Sequence, residues 1–404
     1  MTDDRARRTD VGGTAALVFG LCAAPRIAAL VYFAHPPETQ YSALARSLAG
    51  AHRYWLDGAP TARMEPMCPL VFAASWLLFR SMLILPIALA SLAGVTLFSL
   101  TRAATDDVLA AWIAALLYAW SPYLIRQSAS PMEVTVAASL LMLAAWRMKD
   151  VSTPARTAIA GLLFGAIVLT RFSFLPIAVA GIWLVSVRDG LRRGALAAVV
   201  AIACLLPWMA YSRATGGSLW PSRVGENLYV GTNEWTHTLV PRTNVDVLTP
   251  LATDLVTGEP YPDRALLRRA LDYAGRHPLS VLTLKLRNLF YSLQPRLLPF
   301  TERAGSAALV DGALVLPEQR PRPDVYEWIA GVFQGVLLAG GAIGLWQRRK
   351  RLSEDAFLLI VLGGVLAINV IFYPTSRLLA PASFVLMFYT AAACSGLRRR
   401  AIGR

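Results

Sequence analysis

The sequence is short of charge, of histidine and of cysteine, and each scarcity excludes something. Charged residues fill 16% of its 404 positions against 56% hydrophobic, too few to cover the surface of a soluble chain of this size. Its four histidines, His35, His52, His237 and His277, fall at spacings that match no metal-ligand pattern. No resident structural metal is therefore expected; carboxylates with water leave room for a divalent cation such as Mg²⁺ or Mn²⁺ without demanding one. The four cysteines, Cys22, Cys68, Cys204 and Cys394, sit in apolar stretches without CxxC spacing and read as small core residues. Acidic residues are outnumbered 25 to 39 by Lys and Arg, for a net charge of +14. In a soluble protein that balance would point to nucleic acid, but the basic residues here sit in short loops and at the tail, as the positive-inside rule expects. Nucleic acid is not an expected partner. Neither an internal repeat nor a low-complexity tract is present.

What the chain has in plenty is apolar blocks of about 20 residues, the length that crosses a bilayer as a helix. They run 11–34, 83–101, 107–125, 132–148, 156–174, 175–188, 194–212, 325–346, 355–373 and 378–396. The first is too long and too weakly bounded for a cleaved signal peptide and reads as the first span. A further block, PLVFAASWLLF at 69–79, is too short to cross about 30 Å. Charge decides its role. If it does not span, one face of the membrane collects Arg5, Arg7 and Arg8, Arg102, Arg147 with Lys149 and Arg156, Arg188 with Arg192 and Arg193, RRKR at 348–351 and RRR at 398–400. If it spans, every cluster after the first moves outside, against the positive-inside rule.

The expectation is an all-α polytopic membrane protein with about ten transmembrane helices. Both termini are cytoplasmic, and residues 66–80 lie in or dip into the outer interface. A transmembrane module (1–212) carries a first outer loop (35–82); an extracytoplasmic region with helices (213–324) separates spans seven and eight; the remaining helices occupy 325–404.

In the first outer loop, Tyr41, Leu44, Ala45 and Leu48 recur at helical spacing with Ser42, Arg46 and Ser47 turned away. That pattern predicts an interfacial helix with its apolar face in the acyl boundary. Pro36 and Pro37 preset the turn into it, and Glu38 falls at its start, where the helix dipole favours a carboxylate. In the second loop, Leu266, Leu267, Ala270, Leu271 and Ala274 form an apolar stripe that Pro278 interrupts, predicting two helices with a bend.

Ionisable residues gather at the outer ends of the spans: Glu38 after the first, Arg126 (beside Tyr123) and Glu133 at the turn between the third and fourth, Arg171 after Thr170 at the end of the fifth, and Arg377 opening the last between Pro374 and Pro381. Such groups cost roughly 2.5–3.5 kcal/mol at bilayer depth and usually face a wet cavity. Singly, Arg126 or Arg377 reads as a snorkelling helix end. Jointly with two acids on one side, they suit a ligand that is polar at one end and lipid at the other.

Several stretches, in order, carry a resemblance. These are PETQYSALARSLAGAHRYWLDGAPTARMEPMCPLVFAASWLLF, SPYLIRQSASPMEVTVAASLLML, GLLFGAIVLTRFSFLPIAVA, LLPWMAYSRATGGSLWPSRVGENLYVGTN and RRALDYAGRHPLSVLTLKL. Together they resemble the GT-C fold membrane glycosyltransferases, specifically the bacterial relatives of protein mannosyltransferases and of the aminoarabinose transferase that modifies lipid A, in the manner of glycosyltransferase family 39. Two positions depart from the pattern: Pro37 stands where the first-loop acidic pair usually begins with Asp, leaving Glu38, and Phe172 replaces the proline of a Leu-Thr-Arg-Pro element.

The resemblance implies a polyprenyl-phosphate sugar as donor and a glycan, lipid or protein hydroxyl as acceptor. It implies transfer with inversion at the extracytoplasmic face of a bacterial inner membrane. Glu38 is then the catalytic base and Glu133 a second carboxylate that orients it or the acceptor. Arg171, Arg377 and Lys285 are the expected phosphate ligands, and Tyr41 and Asn227 the hydrogen-bond partners of sugar or phosphate. Two other readings stay open: a catalytically inactive relative, which Pro37 favours, and a flippase or transporter for a lipid-linked sugar, which would place pathway groups at the bilayer midplane.

Overall fold

The computed structural model describes residues 2–33, 38–216, 219, 223–239, 252, 261–298, 308–310, 313–315 and 325–401. His35, Pro36 and Pro37, for which a turn is expected, lie outside them. In chain order the helices are α1 (Thr2–Tyr32), α2 (Gln40–Ala51), α3 (Met67–Phe79), α4 (Ile84–Thr105), α5 (Val108–Ala119), α6 (Pro122–Ser128), α7 (Glu133–Arg147), α8 (Pro154–Thr170), α9 (Leu175–Asp189), α10 (Leu191–Gly216), α11 (Val224–Val230), α12 (Thr236–Leu239), α13 (Asp263–Arg276), α14 (Pro278–Ser292), α15 (Val325–Gln347), α16 (Ala356–Ile371), α17 (Ser376–Leu379) and α18 (Ser383–Ala401). Two short hairpins, β1 (Trp55–Leu56) with β2 (Ala59–Pro60) and β3 (Ala308–Val310) with β4 (Ala313–Val315), are antiparallel.

A helix stands at each of the ten expected spans. Among the described residues, six are long and apolar enough to cross a membrane: Gly12–Tyr32, Ile84–Thr105, Phe172–Asp189, Leu191–Thr215, Val325–Gln347 and Ser376–Arg399. The pair α5–α6, bent by 52° where Pro122 opens α6, makes a seventh if counted as one span. The other three, α7, α8 and α16, have 15, 17 and 16 residues, about 22–26 Å at 1.5 Å per residue and short of an average hydrocarbon core. The chain is thus a multi-pass membrane protein. Helix α3, with 13 residues, is about 20 Å long, as expected of a block too short to span.

Two compact units share the chain. The first comprises Met1–Trp220, Val336–Leu362 and Ala380–Arg404; the second comprises Pro221–Gly335 and Gly363–Leu379. Residues 336–362 and 380–404 thus fall in the first unit, and 325–335 and 363–379 in the second.

In the first unit α1, α5 and α7 pack on α4, and α8 packs on α10. Small residues permit the close approaches. A Cβ on Gly161 would lie 2.5 Å from the Ala197 carbonyl oxygen, and one on Gly165 would lie 2.7 Å from Cys204 Cβ. This small-xxx-small spacing lets α8 and α10 meet backbone to backbone. Gly94 of α4 receives the Cys22 thiol of α1, which a Cβ there would meet at 2.3 Å. One turn on, the fully buried Arg26 donates to the carbonyls of Cys22 (2.7 Å) and Tyr118 (3.2 Å) and lies over the Tyr118 ring. Beyond the C-terminal end of α7, Arg348 grips Asp355 through two hydrogen bonds of 2.7 and 3.0 Å. Its third nitrogen caps the Ala104 carbonyl at 3.0 Å, and Lys149 reaches the Glu354 carbonyl at 2.9 Å. These contacts fasten that end of the bundle.

Helix α2 starts with a capping box in which Thr39 accepts from the Ser42 amide and Ser42 Oγ accepts from the Thr39 amide. Its apolar face is not turned to lipid, as the periodicity suggested. Tyr41, Leu44 and Ala45 are buried, and so is Ser42, because α3 returns against α2 and offers a protein surface in place of acyl chains. The hairpin β1–β2 turns on Asp57 and Gly58, both at positive φ (52° and 80°), the Asp-Gly pairing that a two-residue hairpin favours.

In the second unit, α13 and α14 meet at His277 and Pro278 as expected of the proline break. Of the stripe read from sequence, Leu266 and Ala270 are buried and Leu271 is exposed.

Candidate active site

The site forms where α7 begins and α8 ends. Glu133 is the first residue of α7, behind Met132 in extended conformation, so its carboxylate sits at the positive end of the helix dipole. Arg171 follows the last residue of α8 with extended backbone (φ −161°, ψ 118°), which turns its side chain off the helix. Arg171 Nη1 donates to Glu133 Oε1 over 2.8 Å, and Nε donates to Ser173 Oγ over 3.2 Å. The pair is sheltered: the Glu133 side chain is 2% exposed and that of Arg171 17%.

Sequence reasoning missed a third member, Glu65. It lies in the first outer loop, one residue before Pro66 at the mouth of α3. Glu65 Oε1 accepts the backbone amide of Phe172 over 2.8 Å, placing the carboxylate beside Arg171. Burial pushes its carboxyl pKa above the usual range, and the nearby Glu133 adds to the rise; the Phe172 amide and Arg171 oppose it. The loop is held from behind by aromatic rings. The Tyr54 hydroxyl donates to the Met64 carbonyl at 3.0 Å, the Tyr211 hydroxyl donates to the Tyr54 carbonyl at 2.9 Å, and Trp208 stacks on Tyr211 with centroids 5.2 Å apart. The sequence signal for Glu65 was an acid immediately ahead of a proline and a short apolar block; its partner 107 residues away obeys no periodicity.

Glu38 stands one residue ahead of the capping box, exposed and ion-paired with Arg46. Its neighbour Thr39 donates to the Pro131 carbonyl at 2.9 Å, tying the start of α2 to the segment that leads into Glu133. Tyr41 is buried in the face of α2. Of the residues expected in the site, the structure joins Glu133 directly to Arg171.

Asn227, Lys285 and Arg377 belong to the second unit. Lys285 Nζ donates to the Gly231 carbonyl (2.9 Å), Thr232 Oγ1 (2.8 Å) and the Ile371 carbonyl (2.6 Å). Burial pushes its ammonium down to about 8. The Tyr373 hydroxyl donates to Asn227 Oδ1 at 3.2 Å. The Arg377 amide donates to Thr375 Oγ1 at 3.3 Å, at the start of α17.

No group of three His, Cys, Asp or Glu side chains gathers as a metal-ligand set among the described residues. The cluster offers two carboxylates, Glu65 and Glu133, with a guanidinium beside them. That is a poor donor set for a resident cation.

No family model matches the chain, and no curated protein does. Among solved structures it is similar to an archaeal oligosaccharyltransferase, AglB from Archaeoglobus fulgidus in complex with an inhibitory peptide and a dolichol-phosphate, at a TM-score of 0.49 and 16% identity. That likeness covers 96% of this chain and 52% of the archaeal one, so this chain spans about half its length. It is also similar to ArnT from Cupriavidus metallidurans bound to undecaprenyl phosphate, at a TM-score of 0.39 and 11% identity, over 98% of this chain and 79% of that one.

Proposed function

We propose that this chain is a membrane glycosyltransferase that moves a sugar from a polyprenyl-phosphate donor to an acceptor hydroxyl on the extracytoplasmic face, in ten crossings with both termini in the cytoplasm. The observation that carries the reading is the sheltered Arg171–Glu133 pair, held where one apolar helix begins and another ends. Ionisable groups are costly there without a polar ligand to serve.

In the reaction the acceptor oxygen attacks the anomeric carbon, the bond from that carbon to the lipid phosphate oxygen breaks, and the configuration inverts. The acceptor's proton passes to a carboxylate, a transfer that contributes about 10²- to 10⁴-fold in rate. Glu38 takes that role: it is exposed to an incoming acceptor, and Thr39 beside it is bonded to the segment preceding Glu133. Glu133 orients Arg171, whose guanidinium meets the charge growing on the departing phosphate. Glu65 fixes the backbone at Phe172 and with it the direction of Arg171.

The test uses protein reconstituted in vesicles with a radiolabelled polyprenyl-phosphate sugar and membrane acceptors. Label should appear in a new glycosidic bond, and Glu38→Gln should abolish the transfer while donor binding survives. Full activity in Glu38→Gln with none in Glu133→Gln would move the base to Glu133. Sugar crossing the bilayer without a new bond would replace the transferase by a flippase.

A further inference from the structure

Helix α14 is amphipathic in the opposite sense to a helix bathed in water. Its packed face carries Leu284, Asn288 and Ser292, one turn apart and none more than 4% exposed. From that side Lys285 donates to the Ile371 carbonyl and Asn288 Nδ2 to the Val370 carbonyl at 3.2 Å. Both acceptors lie in the last turn of α16, a helix without one charged residue. On the far side of α14, Leu279, Leu282, Leu286 and Phe290, with the capping residue Leu293 just past its end, follow one another in steps of three and four residues, each more than half exposed. Steps of that size keep them on one stripe.

In water such a stripe is an aggregation liability; against acyl chains it is the ordinary surface of a membrane helix. The same unit already has a surface of this kind. The first turns of α15, one of the helices long enough to cross, expose Val325, Trp328, Ile329 and Val332. The neighbouring α13 supplies the complementary chemistry. It holds four arginines against two aspartates, and Arg264 and Arg268 share its exposed face with Leu271, opposite the buried Leu266 and Ala270.

We infer that α13 and α14 form a lipid-docking elbow selective for anionic phospholipid. Helix α14 lies in the acyl layer by its leucine stripe, and α13 lies among the headgroups with Arg264 and Arg268 on lipid phosphates. This part of the region read from sequence as extracytoplasmic is thereby part of the membrane surface. The inference does not depend on the reaction proposed above.

The test places a bimane fluorophore on Leu282→Cys or Leu271→Cys in the full chain, with the four native cysteines replaced by serine. The protein is reconstituted in vesicles of phosphatidylcholine and phosphatidylglycerol in which one lipid at a time carries brominated acyl chains. The label at 282 should be quenched several-fold by bromine on either lipid. The label at 271 should be quenched more strongly by brominated phosphatidylglycerol than by brominated phosphatidylcholine, and Arg264→Gln with Arg268→Gln should remove that preference while quenching at 282 persists. Quenching at 282 by aqueous iodide instead of bromine would return α14 to water. Protection from both quenchers would show the stripe covered by a second copy, and equal quenching at 271 by the two lipids would remove the anionic selectivity; each result overturns the proposal.

Discussion

The backbone amide of Phe172 donates to Glu65 Oε1 over 2.8 Å, joining the first outer loop to the end of α8 across 107 residues. Only a residue with an N–H can make this bond, so the phenylalanine that replaces the expected proline is what allows Glu65 to be held here.

Substitution at 172 separates that bond from the side chain. Arg171 already has the extended backbone that precedes a proline, and residue 172 opens a short 3-10 turn, so proline fits without distortion. Phe172→Ala and Phe172→Pro both lose the ring, but only the proline variant loses the donor. The proline variant should be less stable than the alanine variant by about 1–3 kcal/mol, the cost of leaving a sheltered acceptor without its donor. Thermal unfolding of the two proteins in the same detergent checks this.

The raised pKa of Glu65 gives stability a pH dependence of definite sign. In the unfolded chain the carboxyl releases its proton near 4.5, while in the folded protein burial makes it hold the proton to higher pH. The folded state therefore binds more protons in that window, and stability falls as pH rises from about 4.5 through the folded value. Glu65→Gln keeps an oxygen for the Phe172 amide and removes the titration. Melting temperatures across that window should fall more steeply for the native protein than for this variant.

Packing at Gly94 allows a compensation test. A methyl group there would meet the Cys22 thiol at 2.3 Å, with a Tyr118 ring carbon next at 3.2 Å. Gly94→Ala should cost about 1–3 kcal/mol from overpacking. Adding Cys22→Ala removes the sulfur and should return most of the loss, because the remaining contacts are ones a side chain can yield to. Stability in detergent of the two single variants and the double variant gives the coupling directly.

These results indicate which features composition and periodicity could reveal. Apolar blocks and the Pro278 break are local, and helices stand where the sequence placed them. Glu133 and Arg171 were legible as ionisable residues at the ends of apolar blocks, where their cost marks them. The face of α2 was misread because periodicity shows that Tyr41, Leu44 and Ala45 point one way but not whether lipid or α3 awaits them. Glu65, the Arg348–Asp355 clasp and the outward stripe of α14 depend on contacts or exposure that only the folded chain defines.

Arg171 and Glu133 should respond to substitution in a way that separates folding from chemistry. Arg171→Ala leaves the nearly buried Glu133 carboxylate without its cation, and breaking a buried pair in this manner typically costs about 3–5 kcal/mol. Glu133→Gln in the same chain neutralises the stranded charge and should restore much of that stability. Arg171→Lys keeps the charge and a donor for Glu133 but loses the planar fork that grips a phosphate through two nitrogens. It should fold with little loss yet reduce transfer from the polyprenyl-phosphate donor by roughly 10²- to 10³-fold, as removal of one preorganised donor does elsewhere. Were Arg171 only a structural clasp for α7 and α8, the lysine variant would keep its activity in proportion to its stability. Turnover measured beside melting temperature for the three variants therefore decides whether the guanidinium serves the leaving phosphate or only the fold.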